Sequence, residues 1–101
     1  MRAISIRQPW AEMIMSGQKT TEYRSINTNI RGRVYVYASM KLDRYADPIR
    51  RNVVGKIIGS VEIANSRWRN GQYHWTLRNP KRLIRPISPK RHPQPVFFNP
   101  F

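Results

Sequence analysis

No cysteine occurs among the 101 residues, so a disulfide framework, a thiolate zinc site and a cysteine nucleophile are all excluded. Two histidines without cysteine are too few for a structural zinc, and neither a metal nor another cofactor is expected. Acidic side chains are scarce: five Asp plus Glu stand against nineteen Lys plus Arg, a formal charge of +14. No uncharged apolar stretch approaches the roughly 18 residues that a membrane helix needs. Near the N-terminus the apolar run is broken by Ser5, Arg7 and Gln8, which leaves no signal-peptide core. A soluble, cytoplasmic chain with no membrane partner is expected.

What the chain does have is 40% hydrophobic and 11% aromatic residues, including three tryptophans, the material of one modest packed core rather than of disorder. One domain spanning residues 1–101 is expected, ending in a Pro-rich extended segment, residues 86–101, packed on the rest. The positive excess points to a polyanionic partner. After Glu62 the remaining 39 residues hold no acid, while Arg67, Arg69, Arg78, Lys81, Arg82, Arg85, Lys90 and Arg91 are all basic. Fourteen of the nineteen cations are arginine, whose planar fork grips phosphate and stacks on rings. Trp68 lies between Arg67 and Arg69, with Tyr73 and Trp75 close behind, so stacking groups alternate with charge. Solubility alone is usually reached with mixed signs and a smaller net charge.

Alternation and turn residues predict a short strand at 3–6, then a helix at about 9–16 with Pro9 in its first turn and Gly17 as a left-handed cap. Residues 20–24 read as a strand with Thr20, Glu22 and Arg24 on one face. Residues 34–39 form the clearest strand, with Val34, Val36 and Ala38 inward. Helical composition at 43–52 is broken by Pro48 and predicts only a helical turn. A strand at 57–64 would set Ile57, Gly59, Val61 and Ile63 opposite Ile58, Ser60, Glu62 and Ala64, with Gly59 marking a bulge or a close backbone approach. Residues 73–78 read as a strand, Asn79-Pro80 as a turn, and 82–87 as another strand, with 96–98 available as the last. The expected fold class is α+β: a small mixed β-barrel of about five to six strands, one short helix after the first strand and a second helical turn.

Several polar residues are candidates for chemistry. Lys19, just past Gly17, is a mobile cation able to hold a phosphate or, if desolvated, to act as a base. Glu22, one of few acids in a positive field, would be held ionised by Arg24 or Lys19, and its carboxylate can accept from the exocyclic amine of cytosine or adenine. In an ideal strand Lys19 and Glu22 face opposite ways, so their convergence requires Lys19 to lie outside the strand. Glu22 and Arg24 alone would equally suit a structural ion pair. Arg7 and Gln8, at the strand-to-helix junction, are candidates for phosphate contact, and Trp10 for packing with its ring as a cleft wall. Ser39 offers a hydroxyl at a strand end. Glu62 reads equally as a buried, paired carboxylate or as a functional one. His74 reads as a packed or surface histidine.

The stretch Gly17-Gln18-Lys19-Thr20-Thr21-Glu22-Tyr23-Arg24 has the form G-x-K-x-x-E-x-R. With Ser5-Ile6-Arg7-Gln8-Pro9-Trp10 before it, and Arg31-Gly32-Arg33, Ile57-Ile58-Gly59-Ser60-Val61-Glu62 and Tyr73-His74-Trp75-Thr76-Leu77-Arg78-Asn79-Pro80 after it, this resembles the ASCH (activating signal cointegrator homology) domain. The resemblance covers nearly the whole chain. It implies a PUA-like β-barrel with a cleft beside the helix, in a superfamily that mostly binds RNA or modified nucleobases. Bacterial proteins similar to this one include an amidohydrolase of N4-acetylcytidine and a ribonuclease. In the amidohydrolase branch the lysine matching Lys19 is catalytic and a threonine three residues later is the proposed nucleophile; here that position is Glu22.

Three functions stay open. In a binding module, Arg67, Arg69, Arg78 and Arg82 would hold an RNA backbone, with DNA as the lesser alternative. Lys19, Thr20, Glu22 and Arg24 would then meet a base or modified nucleoside. A hydrolase, either amidohydrolase or ribonuclease, would use Lys19 and Glu22 as catalytic residues. A regulatory interaction protein would use its charge alone. A monomer or weak dimer is expected.

Overall fold

The computed structural model describes residues 1–42 and 53–101; the helical turn expected at 43–52 lies outside them. Its elements are β1 (Ala3–Ile6), α1 (Trp10–Met15), β2 (Thr21–Arg24), β3 (Gly32–Ala38), β4 (Lys56–Arg69), β5 (Gln72–Ile87) and β6 (Phe97–Phe98). One six-stranded sheet runs in the order β2-β5-β4-β3-β1-β6. β1 lies parallel to β3, and every other pairing is antiparallel. This is the α+β, PUA-like barrel architecture expected, with α1 after the first strand packed against β3, β4 and β5.

Alternation decides the core. Val34, Val36 and Ala38 of β3 point inward with Ile4 and Ile6 of β1, Val61 and Ile63 of β4, and Trp75 and Leu77 of β5. α1 seals this cluster with Ala11, Ile14 and Met15, and each large aliphatic chain buried there contributes about 1.5–3 kcal/mol. The helix is one residue shorter at each end than expected: Pro9 is its N-cap and Ser16 its C-cap. Gly17 follows at φ +81°, the left-handed conformation that ends a helix at no steric cost to glycine.

Three corrections concern β4 and β5. Ile57 and Ile58 were expected on opposite faces with Ile57 beside Val61; instead a register shift between Ile57 and Gly59 puts Ile58 in the main core. Ile57 joins a second cluster with Ala3, Tyr37 and Phe98. β4 does not end at Ala64 but continues to Arg69. Asn79-Pro80 is no turn: Asn79 takes φ 50° inside a 16-residue β5, where Ser60 faces Lys81 and Glu62 faces Arg78, so one extra residue bulges out. The hairpin that does exist turns at Asn70-Gly71, both at positive φ, between the paired Arg69 and Gln72.

Gly59 is the close approach that its position in β4 predicts. A Cβ there would run into Met15 Sδ of α1 and the Lys81 carbonyl of β5.

In the second cluster, Tyr37 packs edge-on against Phe98, ring centroids 5.3 Å apart. Burial raises the pKa of its hydroxyl above the ordinary value of about 10. The unfolded chain therefore ionises first as pH rises, and this part of the stability, fully present below about pH 10, is lost as pH climbs through the folded value. Thermal melts from about pH 9 to 11 should show a steeper alkaline decline for wild type than for Tyr37→Phe, which keeps the ring and removes the titrating group. Coincident declines would contradict the burial argument.

Candidate functional site

The mouth of the barrel beside α1 opens into a cleft of about 1100 Å³. Its polar centre is built by β2 and the turn before it. Lys19 lies outside the strand, its N–H donating to the Met13 carbonyl (3.0 Å) at the end of α1. Leu77 N–H then donates to the Thr20 carbonyl (2.8 Å), and β2 begins at Thr21. That offset turns Lys19 to the same side as Glu22, with Nζ 3.6 Å from Oε1. Arg24, two residues along the same face, donates to Glu22 Oε2 from Nε (2.9 Å) and Nη2 (2.7 Å). Nη2 also donates to the Ser5 carbonyl of β1 (3.0 Å), which ties β2 across the barrel mouth.

The carboxylate is 9% exposed and its two cations 14% and 23%, so screening by water is weak and the charges stay fixed in place. Oε2 is fully used by Arg24. Oε1 accepts no hydrogen bond among the described residues and faces only the more distant ammonium.

Aromatic rings enclose this centre. Lys19 Nζ lies 4.8 Å from the Tyr23 ring centroid and 5.6 Å from that of Trp10. The Arg24 guanidinium lies 5.6 Å from the Trp75 ring, which also stacks on Phe97 at 5.5 Å. Trp10 thus packs on the core and walls the cleft at once.

Of the other candidate residues, Arg7 and Ser39 line the cleft. Ser39 Oγ accepts from Lys41 N–H (3.1 Å). Thr20 is exposed beside the cleft and does not line it. Gln8 is buried and structural: its side chain donates to the Val53 carbonyl (2.9 Å) and accepts from Glu12 N–H (2.9 Å). Glu62 is brought neither into the core nor to the cleft, but lies on the outer face with Arg33 (3.4 Å) and Asn79 (3.2 Å).

Arg82 is committed to Glu12 of α1 through two hydrogen bonds of 2.8 and 2.6 Å. Donating to that carboxylate holds the Arg82 pKa above its usual value. Both side chains are nearly half exposed, so the pair adds at most about 1 kcal/mol to stability. Arg67, Arg69 and Arg78 are exposed. Since Trp75 and Leu77 point inward, their neighbours His74 and Arg78 point outward, and pairing of Arg67 with His74 and Arg69 with Gln72 puts the arginines on that outer face. Tyr23 is opposite His74, rings 4.8 Å apart, so this face continues to the cleft lip. Trp75 is a core residue and not a stacking platform, whereas Trp68 is 62% exposed.

Sequence reasoning missed the far wall of the cleft, formed by His92, Pro93, Gln94 and Pro95. This segment is held against β1 by the Ser5 N–H to Val96 carbonyl bond (2.8 Å) and the pairing of β6. Tyr23, another lining residue, carried a signal: it belongs to the same strand as Glu22 and Arg24.

Among the described residues no three His, Asp or Glu side chains cluster as a metal site would require, and no helix is long and apolar enough to cross a membrane. No curated protein matches the sequence. Among solved structures, a tyrosine-to-phenylalanine mutant of ZmASCH from Zymomonas mobilis is similar in fold, with TM-score 0.62 and 18% identity over 86% of this chain and 74% of that one. A serine-to-alanine mutant of the same protein gives 0.61 and 20% over 86% and 72%. The sequence itself matches the ASCH domain over residues 4–82, which takes in α1, the cleft residues of β2 and most of the sheet, and the chain belongs to the ASCH domain family.

Proposed function

We infer that this chain is a single-strand RNA-binding module, whose cleft takes one unpaired base and whose outward β4–β5 face takes the backbone. The observation that carries this reading is Glu22 Oε1: an acceptor that takes no hydrogen bond among the described residues, 3.6 Å from the Lys19 ammonium, on a carboxylate fixed between two cations, in a cleft flanked by Tyr23 and Trp10. A base amine of cytosine or adenine is the donor it lacks, and ring faces suit a splayed base. RNA is favoured over DNA because the family resemblance implies it and because unpaired bases are the usual target in RNA. A modified nucleoside would use the same contacts.

The path Tyr23, His74, Arg67, Arg69 leads from the cleft lip along one face of the hairpin, with Trp68 and Tyr73 paired on the other face. Backbone phosphates on that path make binding strongly salt-dependent. In anisotropy titrations of a single-stranded RNA at several salt concentrations, Arg67→Ala/Arg69→Ala should lower the log–log salt slope by about 1.4, roughly 0.7 per lost phosphate contact. An unchanged slope would remove the hairpin from the interface.

A hydrolase is the second reading, favoured by the 3.6 Å approach of Lys19 to Glu22 within the cleft. Oε1 would take the proton from an attacking water and Lys19 would stabilise developing negative charge. Its signature is turnover of an N4-acylated cytidine or of RNA that disappears in Lys19→Ala while bulk RNA affinity stays.

A further inference from the structure

A second cavity, of about 370 Å³, shares His92 and Gln94 with the main cleft and is otherwise bordered by Arg2, Arg91, Asn99 and the two β6 phenylalanines. Its polar groups are cationic or neutral, with no carboxylate among them. The carboxylates among the described residues are committed elsewhere: Glu12 to Arg82, Glu22 to Lys19 and Arg24, Glu62 to Arg33. Arg2 and Arg91, from opposite ends of the sequence, both border this cavity, and neither forms an ion pair among the described residues. Like charges converging in a concavity repel one another, and a multiply charged anion relieves that repulsion.

The backbone beneath these side chains is fixed beforehand. Tyr35 N–H donates to the Arg2 carbonyl (2.9 Å), and the N–H groups of Lys90 and Arg91 both donate to the Pro100 carbonyl (2.7 and 3.0 Å). The loop from 91 to 100 is thus closed at its base, and Pro93 and Pro95 stiffen its crest. Little backbone ordering remains to be paid on binding.

We propose that Arg2, Arg91 and His92 form a phosphate site. Two guanidinium forks and the imidazole N–H can together engage several oxygens of one tetrahedral phosphate. Because His92 and Gln94 also border the base cleft, the ligand is the phosphate adjoining the nucleotide whose base enters that cleft. This last step rests on the base-reading function inferred above; the phosphate site itself does not.

The direct test is NMR titration of the full chain with inorganic phosphate, observing the side-chain signals of Arg2, Arg91 and His92. Saturable shifts at these three residues ahead of the other arginines are expected in the wild type, and the His92 shift should disappear in Arg2→Ala/Arg91→Ala. Uniform small shifts over all arginines would overturn the site. The coupling is read separately by comparing cytidine, cytidine 5′-monophosphate and the dinucleoside monophosphate CpC. A gain of about tenfold or more over cytidine, equal to roughly 1.4 kcal/mol, is expected for a phosphate-bearing ligand and is lost in the double variant. A gain with the mononucleotide alone assigns a terminal phosphate, and a gain with CpC assigns a chain phosphodiester. A gain that persists in the double variant overturns the coupling. Cytidine that binds equally well to wild type and Glu22→Ala refutes the base cleft while leaving the inorganic-phosphate result to decide the second site.

Discussion

Glu22→Ala is expected to weaken binding of cytosine- or adenine-bearing single strands about tenfold and to leave uridine strands nearly unaffected, since a well-placed base contact carries about 1–3 kcal/mol of discrimination. The reason lies in the division of labour between the two oxygens. Arg24 saturates Oε2 and fixes the carboxylate, while Oε1 accepts no hydrogen bond among the described residues. Removing the carboxylate also strips Arg24 and Lys19 of their counterion in a poorly solvated mouth, so the fold should lose about 1.5–3 kcal/mol. Glu22→Gln keeps an acceptor without the charge and should fall between. Anisotropy titrations with matched oligonucleotides, alongside urea unfolding, separate the two effects. Equal weakening for all sequences would reduce Glu22 to a structural partner of Arg24.

Gly59→Ala is expected to cost at least about 3 kcal/mol, the upper range for overpacking, without any change in cleft residues. The added methyl would meet Met15 Sδ, which can swing aside, but also the Lys81 carbonyl and Arg82 Cα at 3.1 Å, which are backbone. β4 and β5 would have to separate at the bulge that carries Arg82 to Glu12, and α1 would be pushed from the sheet it seals. For a domain of this size the melting temperature should fall by at least about 12 °C, taking the lower figure of about 4 °C per kcal/mol. A loss below about 1 kcal/mol would show that the approach is softer than the backbone contacts imply.

The parts of this architecture that were legible in the sequence are those governed by local alternation and by glycine. Val34, Val36 and Ala38 set the inward face of β3, Gly17 ends α1, and Gly59, read as a bulge or a close backbone approach, is where β5 comes nearest. Lys19 and Glu22 could be required to converge only if the strand began after Lys19, and Thr21 is where β2 starts. The failures came where pairing between distant residues overrode local preference. Asn79-Pro80 has turn chemistry, yet pairing of Glu62 with Arg78 and Ser60 with Lys81 carries the strand through it as a bulge. Residues 65–69 lack an apolar stripe because the outer ribbon buries little, so periodicity had nothing to detect there. The 92–95 wall gave no local signal either: its place depends on β6 docking to β1.

The central claim is that the cleft reads a base, and the most direct measurement is the affinity of the wild-type chain for short single strands of C, A and U at one salt concentration. Binding of the C or A strand about tenfold tighter than the U strand, with the three made equal in Glu22→Ala, is the expected result. Equal affinity of the wild-type chain for all three strands would contradict it and leave the protein a binder of phosphate chains alone.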